Sequence, residues 1–178
     1  KLKLETWNSN RETPMPGSAE VALLMGSKTD WDIMKAAAET LREFGLTYEA
    51  RVLSAHRTPD ETAEYVKKAE AGGTQVFIAA AGMAAHLAGA VAAQSVRPVL
   101  GVPLAASELH GLDALLATVQ MPPGIPVATL AVGKAGAVNA ALLAVQIISL
   151  GRPELQSALR ERRRANAQKI LNERLELT

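Results

Sequence analysis

The chain has 178 residues, 19 Lys plus Arg against 18 Asp plus Glu, a formal charge of +1 and no cysteine. That length fits one domain of ~100–200 residues. The balanced charge gives no global pull on nucleic acid or anionic lipid, and the missing cysteines exclude disulfides, thiolate metal sites and a cysteine nucleophile.

Hydrophobic residues make up 48% of the chain but aromatics only 3%, so the core must be built from Ala, Val, Leu and Ile at close spacing. Residues 1–18 mix charge, Asn, Ser and two prolines without a sustained period and read as an N-terminal extension. No long apolar segment opens the chain, and later apolar runs stop well short of ~18 residues. Neither export nor a membrane span is expected, and a cytoplasmic placement follows by default.

From Ala19 a rhythm sets in of short apolar run, small-polar turn and helical spacing, which predicts a parallel sheet with helices on both faces. Val21 to Met25 is a buried strand. In the helix that follows, Ile33, Met34, Ala37, Leu41 and Phe44 recur at three and four residues, Thr29 or Asp30 can cap the start and Gly45 suits the end. A second strand is expected over about 47–53. "TPDE", residues 58–61, reads as a capping box with Pro59 at the first helical position.

"TQVFIAA" predicts a third strand leading into an Ala-rich helix, "AGMAAHLAGAVAAQS"; "RPVLGVP" predicts a fourth strand and "LHGLDALLATVQ" a helix. The stiff loop "MPPGIP" precedes a fifth strand, "VATLAVG". "AGAVNAALLAVQIISL" is apolar on nearly every side and so must be buried. Gly151 and Pro153 end it. The α/β domain, a catalytic or binding unit, therefore runs over 19–152. Residues 153–178 form a charged amphipathic helix, an arm suited to packing on a neighbouring subunit.

In an open parallel sheet the ligand crevice lies beyond the carboxyl ends of the strands. Three polar clusters fall there: Gly26-Ser27-Lys28-Thr29-Asp30, Ser54-Ala55-His56-Arg57, and Ala81-Gly82 with His86 just beyond. The first has the parts of an anion site, a close-approach glycine, hydroxyl donors and a helix N-terminus, but a helix cap alone would use the same residues. It lacks the spacing of a Walker loop or a dinucleotide fingerprint. Arg57 puts a cation at the wrong end of a helix, a conflict that a phosphate facing both would remove; a solvated or ion-paired Arg is the plainer reading. A lone His56 would read as a capped or solvated imidazole, but beside that site it suits acid–base work, because an imidazole gives and takes a proton near neutral pH. Asp30 reads as a helix-start charge or as an acceptor for sugar hydroxyls. On base rates His86 is a packed histidine and His110 a surface one.

With these residues in view, "MGSKTDW", "SAHRTP", "AAHLAG", "GVPL", "GLDALLATVQMPPGIPVATLAVG" and "AGAVNAALLA", in that order between Val21 and Leu150, the chain resembles the N5-carboxyaminoimidazole ribonucleotide mutases of bacterial purine biosynthesis. That family is also described as the catalytic subunit of phosphoribosylaminoimidazole carboxylase. The resemblance implies a flavodoxin-like three-layer α/β/α sandwich with a central parallel sheet and a C-terminal helical arm. It also implies a homo-octamer with sites at subunit junctions and no cofactor, metal or ATP. The partner would be an imidazole ribonucleotide, whose carboxylate moves from the exocyclic amine to ring carbon 4.

Carried onto this chain, the resemblance makes His56 the general acid–base. Ser27, Ser54 and Arg57 hold the phosphate, with Gly26, Thr29 and Ala55 beside them, and Asp30 holds the ribose hydroxyls. Ala81, Gly82, Ala84, Ala85, His86 and Leu87 wall the carboxylate pocket, and "QMPPG" covers it. This sequence departs from the family pattern at Ala80, Met83 and Ala88, where glycine, glycine and proline are usual, and Met83 is expected either to narrow the pocket or to force a slightly different backbone. A related subclass that uses free carbon dioxide carries Lys at the position of Arg57 and lacks the "AAHL" run. A ribonucleotide-binding module without catalysis is the remaining alternative. A phosphoaccepting receiver is disfavoured because the third strand ends in Ala79-Ala80-Ala81.

Overall fold

Burial with a period of two sets the architecture. In a computed structural model that describes residues 19–175, Val21, Leu23 and Met25 share one buried cluster with Val76, Ile78, Ala80, Leu100, Val102 and Leu104. Ala22, Leu24, Phe77, Ala79 and Val99 belong to a second cluster on the opposite face. A sheet buried on both sides needs helices on both sides. The strands are β1 (Val21–Met25), β2 (Tyr48–Val52), β3 (Val76–Gly82), β4 (Val99–Leu104) and β5 (Ala128–Thr129). They lie in the order β2-β1-β3-β4-β5, each pair parallel. This is the flavodoxin-like order, whose ligand crevice opens at the β1/β3 switch point.

Two long helices, α1 (Trp31–Glu43) and α5 (Lys134–Ser149), cover the first cluster together with the start of α6 (Pro153–Asn172). α2 (Pro59–Ala71) and α3 (Leu87–Ala92) cover the second, and α4 (Leu112–Val119) packs on β4, its Thr118 close to Gly101. The helix expected to be buried all round is buried along one face only, with Ala137, Ala140, Ala141 and Ala144 fully enclosed, while Val138, Leu142, Leu143 and Ile147 on its other side are half-buried and Asn139 is exposed. The alanines let it approach the sheet closely.

Three further expectations are corrected. The Ala-rich segment 81–95 is helical only over Leu87–Ala92, because Met83 (φ 55°) and Ala85 (φ 45°) adopt left-handed backbone that a right-handed helix cannot pass through. The fifth strand shrinks to two residues. Gly101 and Pro103 turn their carbonyls toward it, accepting from Leu130 and Gly133, but Pro103 has no N–H to return, so the ladder cannot continue. The capping box expected at Thr58 and Glu61 does not form. Thr58 Oγ1 instead accepts from Ser54 N–H at 2.9 Å and donates to Ser54 C=O at 3.1 Å, tying the loop before α2 into a ring.

α6 begins against the body, with Leu155 and Leu159 buried and Arg162 paired with Glu43 at 3.1 Å. Beyond Arg162 every described residue is exposed, with Ile170 at 68% and Leu171 at 76%. The expected N-terminal extension, residues 1–18, lies outside the described residues. Among the described residues no helix is long and apolar enough to cross a membrane.

Candidate active site

Strand ends β1, β2 and β3 carry three short polar loops to one place. After β1, Ser27 caps the 3-10 turn Lys28–Asp30: its Oγ accepts from Thr29 N–H at 3.3 Å, and Asp30 Oδ2 accepts from Ser27 N–H at 2.9 Å. The capping box that sequence pattern placed before α2 therefore sits here, and Asp30 makes no side-chain cap for α1. Burial raises the Asp30 carboxyl above the usual range, and the backbone N–H groups of Ser27 and Gly26 and the charge of Arg57 oppose that rise. Ser27 Oγ and Thr29 Oγ1 lie 2.8 Å apart, a paired-hydroxyl rim beside that carboxylate.

After β2 the ring at Ser54 and Thr58 holds His56 and Arg57 on a tight turn. Arg57 reaches back across the sheet end, donating from Nη2 to the Gly26 carbonyl at 2.6 Å and from Nε to Ser54 Oγ at 3.4 Å. These contacts tie the β2 loop to the β1 loop and fix the guanidinium while leaving it exposed. A planar fork held this way, next to hydroxyl groups, suits a phosphate monoester.

After β3 the left-handed residues Met83 and Ala85 turn the chain so that His86 faces His56. His56 Nε2 and His86 Nδ1 are 2.6 Å apart, and the rings meet edge to face at 4.7 Å between centroids and 71° between planes. His86 is thus exposed and paired, not the packed histidine that base rates suggested. His110 is exposed in the β4–α4 loop at φ 51°.

A cavity of 470 Å³ joins the three loops. Gly26, Ser27, Thr29, Asp30, Ser54, Ala55, His56, Arg57, Ala81, Gly82, Ala84, Ala85, His86 and Leu87 line it, every residue the sequence singled out for substrate or catalysis. Met83 lines it as well and is 61% exposed, so it borders the mouth. Ala106, which no sequence signal marked, completes the wall. An ideal Cβ on Gly82 would fall 2.4 Å from the Ala106 Cβ, so glycine at that strand end is what lets the two loops close together. The expected cover, residues 120–124, does not line the cavity; Met121 packs near Gly89 of α3 instead.

Among the described residues no three His, Cys, Asp or Glu side chains gather as a metal-ligand set. Chemically, the cavity offers a fixed cation with hydroxyls at one end, a partly buried carboxylate beside them, and a histidine pair against a wall of small residues.

A family model described as AIR carboxylase matches residues 20–169. The N5-carboxyaminoimidazole ribonucleotide mutase of Pseudomonas aeruginosa is 50% identical over 155 residues, 87% of this chain and 95% of that protein. The protein of the same name from Escherichia coli K12 is 49% identical over 163 residues, 92% and 94% of the two chains. The crystal structure of Treponema denticola PurE superposes with a TM-score of 0.77 at 32% identity, covering 85% of this chain and 93% of that one.

Proposed function

The chain belongs to the AIR carboxylase family, and from that membership we propose that it is an N5-carboxyaminoimidazole ribonucleotide mutase of purine biosynthesis, an isomerase. The observation that carries this reading is the meeting of Arg57 and the hydroxyls of Ser27 and Ser54 with the His56–His86 pair in one cavity at the β1/β3 switch point. Arg57, Ser27 and Ser54 take the 5′-phosphate, and Asp30 accepts from the ribose hydroxyls. The imidazole base then lies toward His56 and the small residues of 81–87.

The chemistry follows from proton accounting. His56 protonates the carbamate nitrogen, the N–C bond breaks with its electron pair left on nitrogen, and carbon dioxide is released. The electron-rich ring carbon 4 attacks the trapped carbon dioxide, and the proton on that carbon returns to His56. One proton has passed from carbon to nitrogen, and nothing is consumed. The intermediate must not escape, so Ala81, Gly82, Ala84 and Ala85 serve by leaving room for carbon dioxide and none for water.

The wild-type chain should convert N5-carboxyaminoimidazole ribonucleotide without added bicarbonate, ATP or metal. It should turn over aminoimidazole ribonucleotide only when bicarbonate is high. Efficient turnover of the second substrate at modest bicarbonate would place the chain with the carboxylases that use free carbon dioxide. Inactivity on both would leave a binding module.

Arg57→Ala is expected to weaken binding of the ribonucleotide product by about 10- to 100-fold, the worth of ~1.5–3 kcal/mol for hydrogen bonds to a charged group. Its thermal midpoint should fall less than its affinity does, because the hydrogen bonds lost to Gly26 and Ser54 are exposed to solvent. Titration calorimetry beside a melting curve checks both, and unchanged affinity would remove the phosphate assignment.

The assembly is read as a cytoplasmic homo-octamer in which the end of α6 lies on a neighbouring subunit. Two surfaces support association: the bare apolar ridge of Leu109, Leu112, Leu116 and Val119, each at least 50% exposed, and the arm with Ile170 and Leu171. Because Leu155 and Leu159 belong to the core, the informative truncation removes 163–178 and leaves them in place. It is expected to give a smaller particle by light scattering with helix content otherwise kept; an undiminished particle would sink the arm's role.

A further inference from the structure

We propose that His86 is a positioning residue for His56: its Nδ1 accepts the hydrogen bond from His56 Nε2–H, which locks one tautomer and leaves His56 Nδ1 as the nitrogen that exchanges protons with substrate. The assignment of the reaction rests on the reading above, but the hydrogen bond does not. At 2.6 Å between Nε2 and Nδ1 only one hydrogen fits, so one ring donates and the other accepts.

The two arrangements differ in what they allow. If His86 donated, neutral His56 would carry its only proton on Nδ1 and have no bare nitrogen facing the cavity, so it could not receive the proton from carbon 4. If His56 donates, its Nδ1 is protonated in the imidazolium, passes that proton to the carbamate nitrogen as the N–C bond breaks, and stands bare to take the carbon 4 proton once the new C–C bond has formed. The inner proton never moves. His86 then stands to His56 as the buried carboxylate of a hydrolase triad stands to its histidine.

The surroundings leave this role to His86. Asp30 and Arg57 are the other charged groups lining the cavity. The Asp30 carboxylate accepts from Ser27 N–H, and the Arg57 guanidinium donates to Gly26 and Ser54. His86 itself is held at the start of α3, where its carbonyl accepts from Ala90 N–H at 2.9 Å. The loop that presents it includes two non-glycine residues in left-handed backbone, Met83 and Ala85. Such strain persists where the surroundings over-determine a geometry, as functional sites do.

The chain has three histidines, so 15N-histidine labelling of the full-length protein gives a readable solid-state NMR spectrum, with His110→Asn removing the third. Expected is a His56 signal with Nε2 protonated and Nδ1 bare. In His86→Phe, which keeps a ring but no acceptor, that signal should become a mixture of tautomers while kcat falls about 10²-fold and KM stays within about threefold. In His86→Asn, whose side-chain oxygen can replace the acceptor, most of both losses should be recovered. A wild-type His56 protonated on Nδ1, or a Phe variant with unchanged tautomer and kcat, overturns the proposal. The spectrum needs no turnover, so an inactive wild type would defeat the reaction assignment alone and leave the tautomer to be decided by its own shifts.

Discussion

His56→Asn is expected to lower kcat by about 10³-fold, within the ~10²–10⁴ that a positioned proton-transfer group contributes. Affinity for the ribonucleotide should hold to within a few-fold. Asn preserves polarity and roughly the size of the ring, and it can still donate toward His86 Nδ1, but it cannot accept and return a proton. The phosphate contacts are on Arg57, Ser54 and Ser27, so they survive the change. Steady-state kinetics beside product titration separates the two effects. Intact turnover would show that another group moves the proton, whereas lost binding with lost turnover would mean that His56 holds the β2 loop in shape.

Gly136→Ala is expected to carry the largest stability effect. A Cβ there would lie 1.7 Å from the carbonyl oxygen of Ala131 and 2.7 Å from its carbon. Both are backbone atoms, so no rotamer change relieves the clash, and α5 must move off the loop that follows β5. Overpacking a tight site costs about 1–3 kcal/mol and more when backbone has to shift. At ~2–4 °C per kcal/mol for a chain of this size, the midpoint should fall by roughly 5–12 °C. Gly151→Ala is the control: its nearest neighbour would be Ile148 O at 3.9 Å, so stability should change by less than about 1 kcal/mol. Differential scanning calorimetry on the pair decides it, and equal midpoints would mean that α5 has room its packing does not show.

Much of the sheet was legible because a strand buried on both faces shows as an uninterrupted apolar run, and β1, β3 and β4 sit within two residues of their expected ends. Helix starts were less so. Ser27, Thr29 and Thr58 are all competent caps by residue type; which hydroxyl caps and which one closes a loop depends on a partner brought close by folding, as Thr58 shows with Ser54. The turn at Met83 and Ala85 was hidden for a sharper reason: left-handed backbone is signalled by glycine or asparagine, and this chain has neither at those two positions.

Polar residues at strand ends located the cavity, because parallel strands deliver their carboxyl ends to one edge whatever lies between. The pairing of His56 with His86, thirty residues apart in the chain, depends on that hidden turn and could not be read from spacing. Ala106 escaped for want of any functional group. The exposed ridge on α4 was likewise visible only once the helix was seated, since an apolar residue in a sequence does not say whether its partner is the core or another molecule.

The most direct test of the central claim, that the cavity releases carbon dioxide and recaptures it without letting it go, is carbon tracing. N5-carboxyaminoimidazole ribonucleotide labelled with 13C in its carboxylate would be turned over in excess unlabelled bicarbonate, and the product's carboxylate read by NMR. Retention of the label in nearly every product molecule is the predicted result. Label diluted to the level of the surrounding bicarbonate would contradict it, showing that carbon dioxide leaves the site before ring carbon 4 can attack.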